Sequence, residues 1–184
     1  MKAILISIHS QWVELILKFI KKDEIRKGTA IGKAITRLIK EQGVAPMLIY
    51  CTKGKPTLKG LIAKSWYGLG GYFDYEKLNG KVVARFNATA EEITTRQDRF
   101  KEFIFYETSL DMEDLLKQSC LDYNELDNYL QGEKGTDIHI NELEIFDEPK
   151  EISEFSIKVF PHRKDNLMTR YLTRAPQSYC FIEV

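Results

Sequence analysis

Apolar and polar positions along the chain change period several times, and each change marks an element. Ile4-Leu5-Ile6-Ser7-Ile8 is short, β-branched and apolar on both faces, as in a strand buried on two sides. A helix is expected next, with Ser10 placed to cap its first amides and Trp12, Ile16, Phe19 and Ile20 recurring as one apolar stripe before it ends in Lys21-Lys22. Glu24, Ile25, Arg26 and Lys27 then alternate as a strand, with Glu24 and Arg26 on one side and Ile25 on the other. A carboxylate and several cations thus converge at one elbow.

Further on, Ala34 to Lys40 predicts a short helix, Gly43 and Pro46 interrupt it, and Met47 to Thr52 predicts a strand. Lys53-Gly54-Lys55-Pro56 reads as a turn, and the glycines between Tyr67 and Tyr72 read as a rim loop, without the context of a dinucleotide fingerprint. Gly28 to Ala34 is one residue too short between its glycines for a phosphate loop and has Ala34 where a hydroxyl is needed. Strands are expected over Lys81 to Thr89 and Phe100 to Glu107. Two small helices follow, one capped by Asp111 with Asp114 three residues on, the other opened by Asp122 with Glu125 and ended by Gly132. Ile138, Ile140, Leu143, Ile145 and Phe146 give another strand, an acidic stretch to Glu154 crosses the surface, and Tyr179 to Val184 closes the sheet.

With 184 residues, 43% of them hydrophobic, the chain can bury one core, which fits a single α+β domain over 1–184 with a helical insertion near 110–132. The apolar start is too short for a signal peptide and no apolar run suffices to span a membrane, so a cytoplasmic protein without a membrane partner is expected. Cys51, Cys120 and Cys180 are odd in number and widely spaced, which predicts reduced thiols and leaves the Asn87-Ala88-Thr89 sequon without meaning. Formal charge is zero overall, yet residues 1–85 carry 16 Lys or Arg against 6 Asp or Glu, and residues 86–184 carry 11 against 21. Such asymmetry fits an anion-binding face opposed by an acidic one, or two halves whose charges interleave on a neutral surface. It excludes a strongly basic nucleic-acid protein.

His9, His139 and His162 lack the short spacings of a zinc site and no cysteine pair joins them, so neither a metal nor another cofactor is expected. The cysteines have the prior of core residues. What is left is the elbow, where Lys21, Glu24, Arg26 and Lys27 offer donors and one acceptor beside the Trp12 helix, a lining suited to a planar base or a phosphate. The plain alternative is that the lysines sit at a helix C-terminus for its partial negative charge and Glu24–Arg26 is an ordinary ion pair.

The order strand, Ser7-Ile8, helix ending in lysine, then Glu24-Ile25-Arg26-Lys27 resembles the start of the ASCH domain of the PUA-like superfamily. Ile49 to Lys55, Leu78 to Ala84, Leu143 to Glu151 and Pro176 to Cys180 are similar, in the same order, to a branch of that family found in bacteriophages and prophages. The family's Gly-Glu-Lys-Thr turn is here Phe19-Ile20-Lys21-Lys22, keeping only Lys21, and the extra cysteines of some relatives are missing from Phe160 to Arg174.

The resemblance implies a PUA-like (ASCH) mixed β-barrel with peripheral helices. It also implies a non-catalytic binding module for RNA or a modified nucleotide, and Tyr50, Thr52, His139, Gln177 and Ser178 are the polar residues of the similar segments that could face the elbow. Two further expectations stay open. One is an amidohydrolase acting on acylated nucleosides, for which Lys21 matches the family's lysine but Glu24 replaces its threonine. The other is a phage factor that inhibits or sequesters a host protein or nucleotide signal without catalysis, its acidic half, especially Asp111 to Glu154, mimicking nucleic acid toward a basic host protein. The oligomeric state is not specified by the sequence.

Overall fold

The computed structural model describes residues 1–54, 75–97, 104–159 and 168–184. The expected Gly-rich loop at 67–72, the second half of the turn at 53–56, the start of the strand at 100–107, and His162 lie outside them. In chain order the described elements are β1 (Lys2–Ile8), α1 (Ser10–Leu17), β2 (Asp23–Lys27), α2 (Ala30–Gln42), β3 (Pro46–Cys51), α3 (Tyr75–Leu78), β4 (Lys81–Gln97) and β5 (Ile104–Glu107). Then come α4 (Met112–Ser119), α5 (Tyr123–Leu130), β6 (Gly135–Glu151), β7 (Ser156–Val159), β8 (Met168–Tyr171) and β9 (Tyr179–Glu183). The class is α+β with a mostly antiparallel sheet.

Two compact units form, and neither is one continuous stretch: Met1–Lys18, Pro46–Phe86 and Leu143–Val184 make the first, Phe19–Ala45 and Asn87–Glu142 the second. The chain passes from one to the other inside the 17-residue strands β4 and β6. At the β6 crossing, Glu142 has φ 52, a left-handed conformation that side chains rarely adopt, and it accepts a hydrogen bond from Asn87 Nδ2.

In the first unit β1 lies parallel to β3 and antiparallel to β9, which continues to β7 and β8, while β4 and then β6 flank β3 on the other side. Six of the seven residues of β1 are buried, as the doubly apolar run predicts. Ala3, Leu5, Leu48, Tyr50, Val82, Phe155 and Ile182 form its core. In the second unit β2 pairs with β6, β6 with β4, and β4 with β5. There α4 and α5 close over Ile25, Ile93, Tyr106, Leu115, Leu126 and Leu130, and the Asp122–Glu125 capping box is formed as predicted. Asp111 caps α4 by accepting from the Glu113 amide.

The structure corrects the expected barrel. In neither unit does the strand order return to its first strand among the described residues, because β4 and β6 run on as long strands instead of ending in short, tilted ones that close on themselves. The helix after β1 also differs. His9, not Ser10, is its N-cap, and it stops at Leu17, so Lys21-Lys22 lie beyond it. Its buried side is Ser10, Val13, Glu14, Leu15 and Ile16, while Trp12 is half-buried and Phe19 is 62% exposed with φ 59. Glu14 breaks the apolar pattern yet is fully buried, its charge met one turn on by Lys18 at 2.8 Å. The helix α2 is longer at both ends than predicted and stops at Gly43, whose φ of +83 suits a left-handed C-cap. After α5 the left-handed cap is Gln131, one residue before Gly132.

All three cysteines are free. Burial pushes the Cys51 thiol up to about 12, leaving little thiolate at neutral pH. Iodoacetamide at pH 8, followed by mass mapping, is expected to leave Cys51 unmodified until denaturant is added; labelling of the native chain at the rate of a free thiol would contradict this packing.

A candidate carboxylate–histidine centre

The second unit folds the elbow into its interior. The antiparallel register sets Asp23 opposite His139, Glu24 opposite Ile138, Ile25 opposite Asp137 and Arg26 opposite Thr136. Opposed residues share a face, so Asp23, Asp137 and His139 project to one side of the ribbon, and Glu24 and Arg26 to the other.

On the Glu24 side Lys21 is only 3% exposed, and its ammonium donates to Ser119 O at 2.6 Å while lying 3.4 Å from Glu24 Oε2. Arg26 Nε lies 3.1 Å from Glu24 Oε1. The Lys22 amide donates to Gln118 O and the Ile140 amide to Lys22 O, which pins the segment between α4 and β6. The cation expected at a helix C-terminus is therefore found at one, but the helix is α4, almost a hundred residues downstream, where the exposed carbonyls favour positive charge.

On the other side His139 Nδ1 is 2.9 Å from Asp23 Oδ1 and 3.9 Å from Asp137 Oδ2, and its Nε2 is 3.9 Å from Glu91 Oε1. Ser109 donates in turn to Glu91. Asp23 is 1% exposed and Asp137 fully buried, yet Asp23 Oδ2 and both Asp137 oxygens have no hydrogen-bond partner among the described residues. Burial pushes the Asp137 carboxyl up to about 7, reinforced by the neighbouring Asp23 charge and opposed by His139 and Lys21. The hydrogen bond to Asp23 raises the His139 imidazole, with burial opposing. Only His139 brings the cluster toward solvent, with 21% of its side chain exposed.

Of the residues singled out from sequence, Lys21, Glu24, Arg26, Lys27 and His139 belong to this unit. Lys27 is exposed and pairs with Glu133 at 3.0 Å. The others, and Trp12, lie in the first unit: Tyr50 in its core, Thr52 Oγ1 3.2 Å from His9 Nδ1, and Gln177 and Ser178 on the surface. Sequence reasoning missed Asp23, Asp137, Glu91 and Ser119. The signal for Asp137 was its alternation with His139 across Ile138, which sends both polar side chains to one face of a strand otherwise read as apolar.

The first unit has a half-open cavity of about 400 Å³ lined by Leu48, Arg85, Phe146, Lys150 and Phe155 among others. Its charges are engaged locally, Arg85 with Glu144 at 2.6 Å and Lys150 over the Phe146 ring at 4.8 Å.

Compared with models of known protein families and with curated proteins, the chain matches none.

The raised Asp137 and His139 groups give a pH dependence of one sign. Between the ordinary carboxylate value and about 7 the folded state binds more protons at Asp137 than the unfolded state, so stability falls as pH rises through that window. The His139 contribution is fully present below its ordinary value of 6.5 and is lost as pH rises through the raised one. In chelator, the wild-type chain is expected to lose more stability from pH 5 to pH 8 than Asp137→Asn does, as read by urea denaturation; equal losses would contradict the assignment.

Proposed function

We propose that the chain is a PUA-like, ASCH-type binding module for RNA or a modified nucleotide, an accessory protein of a phage or prophage, with its ligand held at the His139 rim of the second unit. The ordered motifs support the family reading. The observation that carries the site is the buried carboxylate–histidine cluster, which reaches solvent through His139. Burying this much charge is costly, and apolar residues of similar size are often at least as stable, so such a cluster points to a ligand rather than to packing. A histidine held toward its cationic form offers a charged donor to a phosphate or a base carbonyl.

In this reading Lys21 and Arg26 orient Glu24 and the strand instead of touching phosphate, because their charged ends already face Glu24 and Ser119. Lys27, by contrast, is exposed at the surface. No membrane surface enters the proposal, and no described helix is long and apolar enough to cross one.

Fluorescence polarisation with labelled nucleotides and short RNAs, in chelator at pH 6, tests it. His139→Gln is expected to weaken binding about tenfold, the worth of one charged hydrogen bond. Lys27→Ala is expected to lower the salt slope by about one. Unchanged affinity in His139→Gln would move the ligand away from this rim.

A further inference from the structure

We propose that Asp23, Asp137 and His139 form a binding site for one divalent first-row transition cation, Zn²⁺ by preference, with at least one coordination position open toward the His139 rim. One carboxylate oxygen from each aspartate and a ring nitrogen of His139 lie within 4.8 Å of one another. Ligands held by bonds of about 2.1 Å in tetrahedral arrangement are about 3.4 Å apart. The two separations from His139 Nδ1, 2.9 Å to Asp23 and 3.9 Å to Asp137, bracket that value.

The carboxylate oxygens supply an independent observation. Among the described residues Asp23 Oδ2 and both oxygens of Asp137 have no hydrogen-bond donor, in residues that are 1% and 0% exposed. Buried acceptors of this kind call for a positive or donating group small enough to enter, and a nucleobase is too large for atoms with no accessible surface. A bare cation fits. All three residues project from paired strands, so their spacing is fixed by the β2–β6 ladder instead of by loops. Glu91, 3.9 Å from Nε2 and itself held by Ser109, stands where a second carboxylate commonly orients a metal-bound imidazole.

The donor set decides the class of ion. One imidazole with two carboxylates suits Zn²⁺, Mn²⁺ or Fe²⁺, whereas Mg²⁺ and Ca²⁺ prefer oxygen alone, and no cysteine belongs to the cluster. Among these three ions the usual order of affinities favours Zn²⁺. Three protein ligands leave a position for water or for an oxygen of a bound phosphate. The site shares His139 with the nucleotide reading but does not depend on it, since the unpartnered oxygens that argue for a cation belong to Asp23 and Asp137 and not to the rim.

The test uses the full chain stripped with chelator and titrated with Zn²⁺ against a chromophoric competitor, with Mg²⁺ as control. One Zn²⁺ per chain is expected, weakened at least tenfold in Asp137→Asn and in His139→Gln. Because either substitution can disturb folding, the wild-type chain is also followed by imidazole nitrogen NMR, in which Zn²⁺ is expected to shift His139 and leave His9 and His162 in place. Absence of stoichiometric binding, equal affinity in both folded variants, or shifts confined to His9 or His162 would overturn the site. Nucleotide binding that persists in chelator while Zn²⁺ fails removes the cation alone; Zn²⁺ binding by a chain that takes no nucleotide supports the cation and removes the nucleotide reading.

Discussion

The register of β2 on β6 is the constraint on which the second unit depends. Five consecutive pairs, from Asp23↔His139 to Lys27↔Gly135, set the faces of Asp23, Glu24 and Arg26, and a slip of one residue would turn each side chain to the opposite face. In that frame Ile25 enters the core with Leu115, Leu126 and Leu130. Its neighbours Asp23 and Glu24 are carried into the interior with it and must find partners there. Glu24 does so on both sides, through Lys21 and Arg26. Asp23 does so through one oxygen only, and neither oxygen of Asp137 accepts a hydrogen bond among the described residues.

The two sides of the ribbon are therefore unequal. One is a neutralised ion-pair set, closed by Ser119 at the C-terminus of α4, and its worth lies in holding the strand, since removing a single partner would strand a buried charge. The other keeps unmet acceptors beside a histidine that reaches solvent. That contrast within five residues separates structural charge from candidate functional charge, and it is the reason the proposed ligand and the proposed cation are both assigned to the Asp23–Asp137–His139 side.

Much of the fold was legible in the sequence, because it rests on local signals. The doubly apolar run at Ile4 to Ile8 became a buried central strand, Glu24 and Arg26 came out on one face with Ile25 on the other, and the Asp122–Glu125 pair became a capping box. Errors arose where tertiary burial overrode local pattern. Phe19 and Ile20 continued an apolar stripe, but the helix ended at Leu17, and Glu14, a polar interruption of that stripe, is buried with Lys18 as its partner. Sheet closure was not legible at all, since nothing local in β4 or β6 tells how far a strand runs. The site was half legible. The elbow residues were named from residue type, but Lys21 also donates to a backbone carbonyl on a distant helix, and Asp23 meets Asp137 and His139 only through strand pairing. A search for histidine and cysteine spacings along the chain cannot find a cluster whose members are neighbours across a ladder.

The central claim is that Asp23, Asp137 and His139 make one preorganised centre. Crystals of the chain grown with zinc, with diffraction collected on either side of the zinc absorption edge, test it most directly. The account predicts one anomalous peak about 2.1 Å from a carboxylate oxygen of Asp23, one of Asp137 and Nδ1 of His139. A zinc peak elsewhere with this cluster empty, or a crystal in which the three side chains point apart, would contradict it.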